Sequence, residues 1–234
     1  MERVCSLTLD LEADHGWARP YRWDALARTG ALQALLDAHS APLTTFATGE
    51  SLAHASPLWA WLEARGDEIG LHSHSHPTPT DPFDPDDVRR AVAAYRQRFD
   101  RDPGCWRPPY GRLKVGEPRA LREVGIRRVS TFHDPQVGLG LDDRPVSRVM
   151  GIPLGLSWLM VVGRAMVHRL PDRAVLVMHL HDVVPTEARA GLPLPLRGFY
   201  ALGARHGDPL AFLARLLTEI EARGTRFVPL WEPS

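Results

Sequence analysis

Short β-rich runs and helix-periodic runs alternate along nearly the whole chain, and this alternation limits the folds open to it. Residues 4–9 are a β-rich run that stops at Asp10. Residues 23–39 place Leu26, Leu32, Leu35 and Leu36 at helical spacing, and residues 42–48 read as the next strand. A helix over residues 56–65 follows, with Ser56 as its cap and Pro57 in its first turn. Residues 68–71 predict a short strand, and Val88, Ala91, Tyr95 and Phe99 predict a helix over 86–99. Further on come a strand at 105–106, a helix at 119–124, strands at 126–132 and 174–178, a helix at 210–223 and a last strand at 225–230. This repeat length predicts parallel strands joined by crossover helices, in a closed or nearly closed α/β barrel. With no internal repeat, low-complexity tract or linker, one domain over residues 1–234 is expected. Residues 185–206, rich in Pro, Gly and Arg, are expected to form a long excursion on one face.

Composition excludes several partners. Basic and acidic residues balance at 28 each, so nothing in the charge suggests nucleic acid. The longest apolar run, residues 149–163, is interrupted by Pro153 and Ser157 and falls short of the ~20 residues a spanning helix needs. No stable membrane insertion is expected. Glu2 and Arg3 lead directly into a strand-like run with no signal-type apolar region before it, which reads as a cytoplasmic protein. Cys5 and Cys105 are expected to be small buried hydrophobes rather than a disulfide.

The chemistry-bearing residues gather where strands end, as active sites do in parallel α/β barrels. Asp10 and Glu12, two apart in an extended chain, point the same way. Paired carboxylates there call for a cation or a proton between them, unless they are a solvated acidic loop. His72 and His76 are four apart, so one helical turn would set them side by side, with His74 pointing away. Two imidazoles and a carboxylate are a common ligand set for zinc or a similar metal. Pro108 and Pro109 stiffen the turn between Arg107 and Tyr110, whose amide could serve as an oxyanion donor. Alone, that motif is a rigid turn with a surface arginine. Met178, His179, Leu180, His181 and Asp182 close the strongest strand. Either histidine could act as general acid, with Asp182 orienting one, or both could simply meet water.

Taken in order, these pieces resemble the polysaccharide deacetylase superfamily, carbohydrate esterase family four. The resemblance runs over residues 7–230. It rests on residues 7–12, on residues 44–50, on Glu68 to Pro77 with its three histidines, on Arg107 to Gly111, and on Val175 to His179. It implies a distorted (β/α)7 barrel and metal-dependent removal of an acetyl, or sometimes formyl, group from an amide nitrogen. By position it makes Asp10 the general base, Glu12, His72 and His76 the ligands of one divalent ion (zinc, with cobalt or nickel as alternatives), and Arg107 the residue orienting Asp10. The Tyr110 amide would help hold the oxyanion, and His179 would be the general acid, with His181 as the alternative. Many members carry two adjacent aspartates and a glycine at the first motif; here the second carboxylate is Glu12, one residue further on. The usual aspartate–tryptophan element is replaced by residues 132–135, where Asp134 could stand in. The substrate expected is an N-acylated amino sugar or glycoconjugate. A lipid-linked sugar is the variant suggested by the apolar residues 149–163 and 192–202. Metal-free ureide ring opening sits poorly with Glu12 and both histidines. The other rival is a non-catalytic descendant that binds glycan or metal.

Overall fold

The computed structural model describes residues 2–15, 21–134, 138, 140–184 and 186–231. Its strands are β1 (Arg3–Leu11), β2 (Leu43–Ala47), β3 (Glu68–Leu71), β4 (Cys105–Trp106), β5 (Arg128–Val129), β6 (Asp142–Asp143), β7 (Arg148–Val149), β8 (Ile152–Pro153), β9 (Arg173–His179) and β10 (Thr225–Phe227). All but β7 and β8 join one curled, eight-stranded parallel sheet; β7 and β8 pair antiparallel apart from it. The helices are α1 (Gly30–Ala38), α2 (Gly49–Leu52), α3 (Pro57–Arg65), α4 (Pro85–Phe99), α5 (Glu117–Glu123), α6 (Leu156–Val162), α7 (Leu180–Val183), α8 (Leu194–Ala204) and α9 (Pro209–Ala222). The result is the distorted parallel α/β barrel that the alternation predicts.

Strand β1 is the hub. One of its edges carries β9 over residues 4–10, and β10 and β2 pair with residues 3–5 and 7–11. The strand is buried from Cys5 to Leu11, with apolar Cys5, Leu7, Leu9 and Leu11 on one face and polar Ser6, Thr8 and Asp10 on the other. The register sets Asp10 beside His179 on β9 and beside Phe46 on β2. Between β6 and β9 the wall is irregular. Val146 N donates to Thr131 O, Ser147 N to Val175 O, and Val177 N to Leu154 O, so single hydrogen bonds close it in place of a ladder.

Local rules account for the helix ends. Ser56 caps α3 by accepting from Leu58 N, Pro57 occupies the first turn, and Gly66 ends the helix at φ 70°. Asp84 caps α4, whose Val88, Ala91, Val92, Tyr95 and Phe99 face the core. At Gly70 a Cβ would lie 2.4 Å from Cys105 Sγ, so only glycine lets β3 approach β4 this closely. Cys5 and Cys105 are both free and buried, as expected.

Three expectations are corrected. The helix anticipated over 23–39 begins only at Gly30. Residues 24–27 are turns, tied down where Asp14 Oδ2 accepts from Ala25 N at 3.2 Å. The strand anticipated over 126–132 is only Arg128–Val129, and the last strand stops at Phe227. The interrupted apolar run 149–163 divides among the end of β7, β8 and α6. The excursion at 185–206 contains the 3-10 turn Glu187–Gly191 and the eleven-residue α8, while Pro185 lies outside the described residues. Among the described residues no helix is long and apolar enough to cross a membrane.

Candidate metal centre and active site

Asp10 and Glu12 leave β1 buried and on the same side, as strand alternation requires. His72 Nε2 stands 4.0 Å from Asp10 Oδ2 and 4.0 Å from Glu12 Oε2. His76 joins them, with Nε2 2.6 Å from the same Glu12 oxygen. That oxygen has no aligned hydrogen-bond donor among the described residues although it is buried. The ligand atoms of Glu12, His72 and His76 all fall within 4.8 Å of one another.

The histidine pair is brought together by a loop, not by the helical turn its spacing suggested. His72 N extends the ladder to Ala47 O at 2.8 Å, and the backbone then turns through left-handed conformations at Ser73 (φ 67°) and His76 (φ 52°). Asp87, at the start of α4, stabilises this loop. Its carboxylate accepts from His74 N at 2.8 Å, Ser75 N at 3.2 Å and Ser75 Oγ at 2.8 Å. His74 turns away onto Gly49, where a Cβ would lie 2.1 Å from His74 Nδ1. His72 Nδ1 donates to Arg107 O at 2.8 Å, which leaves the Nε2 lone pair facing the carboxylates.

Arg107 is not at the surface. It is 1% exposed, and its Nη1 donates to Asp10 Oδ1 at 2.7 Å and to Thr8 Oγ1 at 2.9 Å. Its Nη2 donates to Ser130 Oγ at 2.7 Å, and the guanidinium lies over the Phe46 ring. A buried arginine with these partners fixes one oxygen of Asp10 and leaves Oδ2 facing His72 and His179. Tyr110 follows Pro108 and Pro109 at φ 57°, with its ring 5.1 Å from that of His76. Asp134 is turned to the Leu113 amide, accepting at 2.6 Å.

On the other side, His179 Nε2 lies 3.9 Å from Asp10 Oδ2, and its Nδ1 lies 3.2 Å from Asp182 Oδ2. His179 is partly exposed, whereas His181 and Asp182 are buried. The His181 Nδ1 accepts from His15 N at 3.3 Å, and the two rings lie 4.2 Å apart at a tilt of 38°. Tyr200, from α8, donates its hydroxyl to Asp182 Oδ1 at 3.5 Å.

Environment separates these groups. Burial disfavours the His179 imidazolium, but the Asp182 hydrogen bond and the charges of Asp182, Glu12 and Asp10 outweigh it and lift the pKa to about 10. Burial pushes His72 down to about 4 and His181 down to about 3, so both are neutral near pH 7. Burial alone would raise Glu12, yet His76, His179 and His72 hold it well below the usual carboxylate range.

A family model described as polysaccharide deacetylase matches residues 6–129. The chain belongs to that family. No curated protein matches the sequence. Solved structures of the fold include the peptidoglycan deacetylase PdaC from Bacillus subtilis, 15% identical over 97% of this chain and 88% of that one, with a TM-score of 0.58. A family 4 carbohydrate esterase from Streptomyces lividans in complex with acetate is 18% identical over 95% and 90%, with a TM-score of 0.54. A CE4 family pseudoenzyme from Bacillus anthracis is 13% identical over 96% of this chain and 63% of its own, with a TM-score of 0.56. The chain thus spans less than two thirds of that pseudoenzyme. At these identities the likeness concerns the fold, the distorted (β/α)7 barrel.

In this chain, Asp10, Glu12, His72, His76, Arg107, Tyr110 and His179 all come to one end of the barrel. Asp182 joins them through His179, and His181 sits behind. Asp134 is spent on a neighbouring loop, and Pro135 lies outside the described residues. Thr8, Asp87, Ser130 and Tyr200 were not legible as site residues. Each is a common residue type inside an ordinary strand or helix, and only the fold shows what it holds.

Proposed function

We propose that the chain is a metal-dependent hydrolase that removes an acetyl or formyl group from the amide nitrogen of an amino sugar or related glycoconjugate. The observation that carries this reading is one constellation. The Glu12–His72–His76 cluster stands beside an Asp10 whose other oxygen is held by Arg107, and His179 faces the same carboxylate. The cluster suits a divalent ion. A buried carboxylate oxygen without an aligned donor faces two imidazoles, and the hydrogen bond from His72 Nδ1 to Arg107 O orients one of them for ligation. Zinc matches this donor set best, with cobalt or nickel as alternatives. When bound, such an ion acts as a Lewis acid and lowers the pKa of water.

The chain's own groups supply the rest. Asp10 Oδ2 takes the proton of the attacking water, while Arg107 holds Oδ1 and keeps the carboxylate in place. The Tyr110 amide donates to the developing oxyanion. His179 Nε2 hands its proton to the departing nitrogen, with Asp182 behind it stabilising the imidazolium. The position of His179 across from Asp10 supports it over the buried His181 as the acid. Fold alone does not carry activity, as a pseudoenzyme among the neighbours illustrates. What supports catalysis here is that base, ligand cluster, arginine and acid are all present together.

Elemental analysis tests this first. About one zinc, cobalt or nickel per chain is expected, lost in His72→Ala and in His76→Ala, alongside release of acetate or formate from N-acylated amino sugars. A wild-type chain that takes up no metal after reconstitution would sink the proposal.

A further inference from the structure

The second half of the chain contains two segments of unusual charge. Residues 144–171 and 188–207 hold no Asp or Glu, although the chain has 28 acidic residues, and together they hold seven arginines. Seven large apolar side chains stand exposed among the described residues. Five of them fall in these same segments: Met150 at 77%, Trp158 at 43%, Val162 at 39%, Leu194 at 78% and Leu202 at 51%.

The fold brings α6 of the first segment against α8 of the second. Helices α6 and α8 pack together: the Trp158 and Phe199 rings meet edge-on at 5.0 Å, and a Cβ at Gly203 would lie 3.3 Å from Met160 Cβ. Arg205 donates across to Val161 O, and Arg197 stands exposed on α8. Nearby carboxylates are engaged: Asp208 caps α9 by accepting from Ala211 N at 2.9 Å, and Glu219 pairs with Arg164 at 3.0 Å. Exposed apolar side chains fringed by arginines and free of acidic residues match the surface of an anionic bilayer. There, apolar groups enter the acyl boundary and guanidinium groups meet lipid phosphates.

We propose that the α6–α8 face docks peripherally on an anionic phospholipid membrane, with Trp158, Leu194 and Leu202 entering the interface and Arg197 and Arg205 against the headgroups. No spanning helix is needed, and none among the described residues is long and apolar enough to cross a membrane. Through Tyr200 the same α8 reaches Asp182, behind His179, so a docked chain presents its candidate site to what the membrane displays. This inference goes beyond the hydrolase reading, because binding to lipid requires neither metal nor turnover.

Flotation of the purified chain with phosphatidylcholine vesicles, with and without phosphatidylglycerol, tests it. The chain is expected to float with the anionic vesicles, to release as salt is raised, and to leave neutral vesicles largely unbound. The double variant Leu194→Asp with Leu202→Asp and the single variant Arg197→Glu should each partition at least about tenfold more weakly. Both variants should keep the wild-type circular dichroism and metal content. No flotation of the wild type, or binding unchanged in both variants, overturns the proposal. So does a chain that is dimeric without lipid, becomes monomeric on the same substitutions and ignores vesicles; the face would then be a contact between copies. If vesicles bind and no amide substrate is turned over, the docking stands and the hydrolase reading falls.

Discussion

The two halves of the barrel are built differently. From β1 to β4 the strands pair in register, Glu68–Leu71 exits into a loop clamped by Asp87, and Glu12, His72 and His76 all arise there. The family model matches residues 6–129, essentially this half. Beyond it, β5 and β6 are two residues each, single hydrogen bonds close the wall, and two helices expose an apolar, acid-free face. The second half enters the site through β9, which delivers His179 beside Asp10, through Asp182 and Tyr200 behind it, and through Ser130 against Arg107. On the proposed reading, the ligands and the base fall in the first half, while the second supplies the acid His179 and the docking face.

The sharpest way to break that comparison is Asp10→Asn. It should lower kcat by about a thousandfold or more while metal content is retained; turnover near wild type would remove the base from the first half. Next, His179→Ala should cost about a hundredfold in kcat. His181→Ala should act mainly on stability, seen as a lower urea midpoint, because it empties a buried position. If His181→Ala gives the larger loss of kcat, the assignment of the acid reverses.

Acid should weaken the fold through this site. Burial lowers His72 to about 4, His181 to about 3 and His15 to about 4, all below their value in the unfolded chain. The unfolded state therefore binds the extra protons first, and stability falls as pH drops from about 6.5 toward 4, by at most on the order of 2–3 kcal/mol per histidine. Urea midpoints at pH 7, 6 and 5 should decrease in that order. A flat profile would mean that these histidines are accessible to protons when folded. The smallest effect is expected for Tyr200→Phe, which removes one long hydrogen bond to Asp182. We expect kcat to fall less than about threefold and stability to change by under ~1 kcal/mol.

How far the sequence could be read follows the same division. Residues 68–71 and 105–106 were legible as strands to the residue, because Ile69 and Leu71 lead into the histidine-rich stretch and Cys105 and Trp106 into Arg107 and two prolines. Ser56 and Pro57 marked α3 for the same kind of local reason. The second half resisted, because residues 126–132 are apolar enough for a strand yet find only a two-residue partner in β6. Within the site, residues with metal-binding side chains announced themselves, while Ser130 and Asp87 did not. Their roles depend on contacts 23 and 13 residues away in sequence, which no local pattern records. The histidine loop shows the limit well. Spacing paired the two rings correctly, yet left-handed backbone at Ser73 and His76, rather than a helix, brings them together.

The hub position of β1 also has a consequence in time. Arg107 reaches Asp10 across 97 residues, but Thr8 meets Leu176 across 168. During synthesis at about 5–20 residues per second, the histidine loop and Arg107 emerge several seconds before β9. A nascent chain can therefore gather its three ligands while β1 still has one edge open and no acid opposite the base. On the proposed reading, the base meets its acid only once β9 has come to rest against β1.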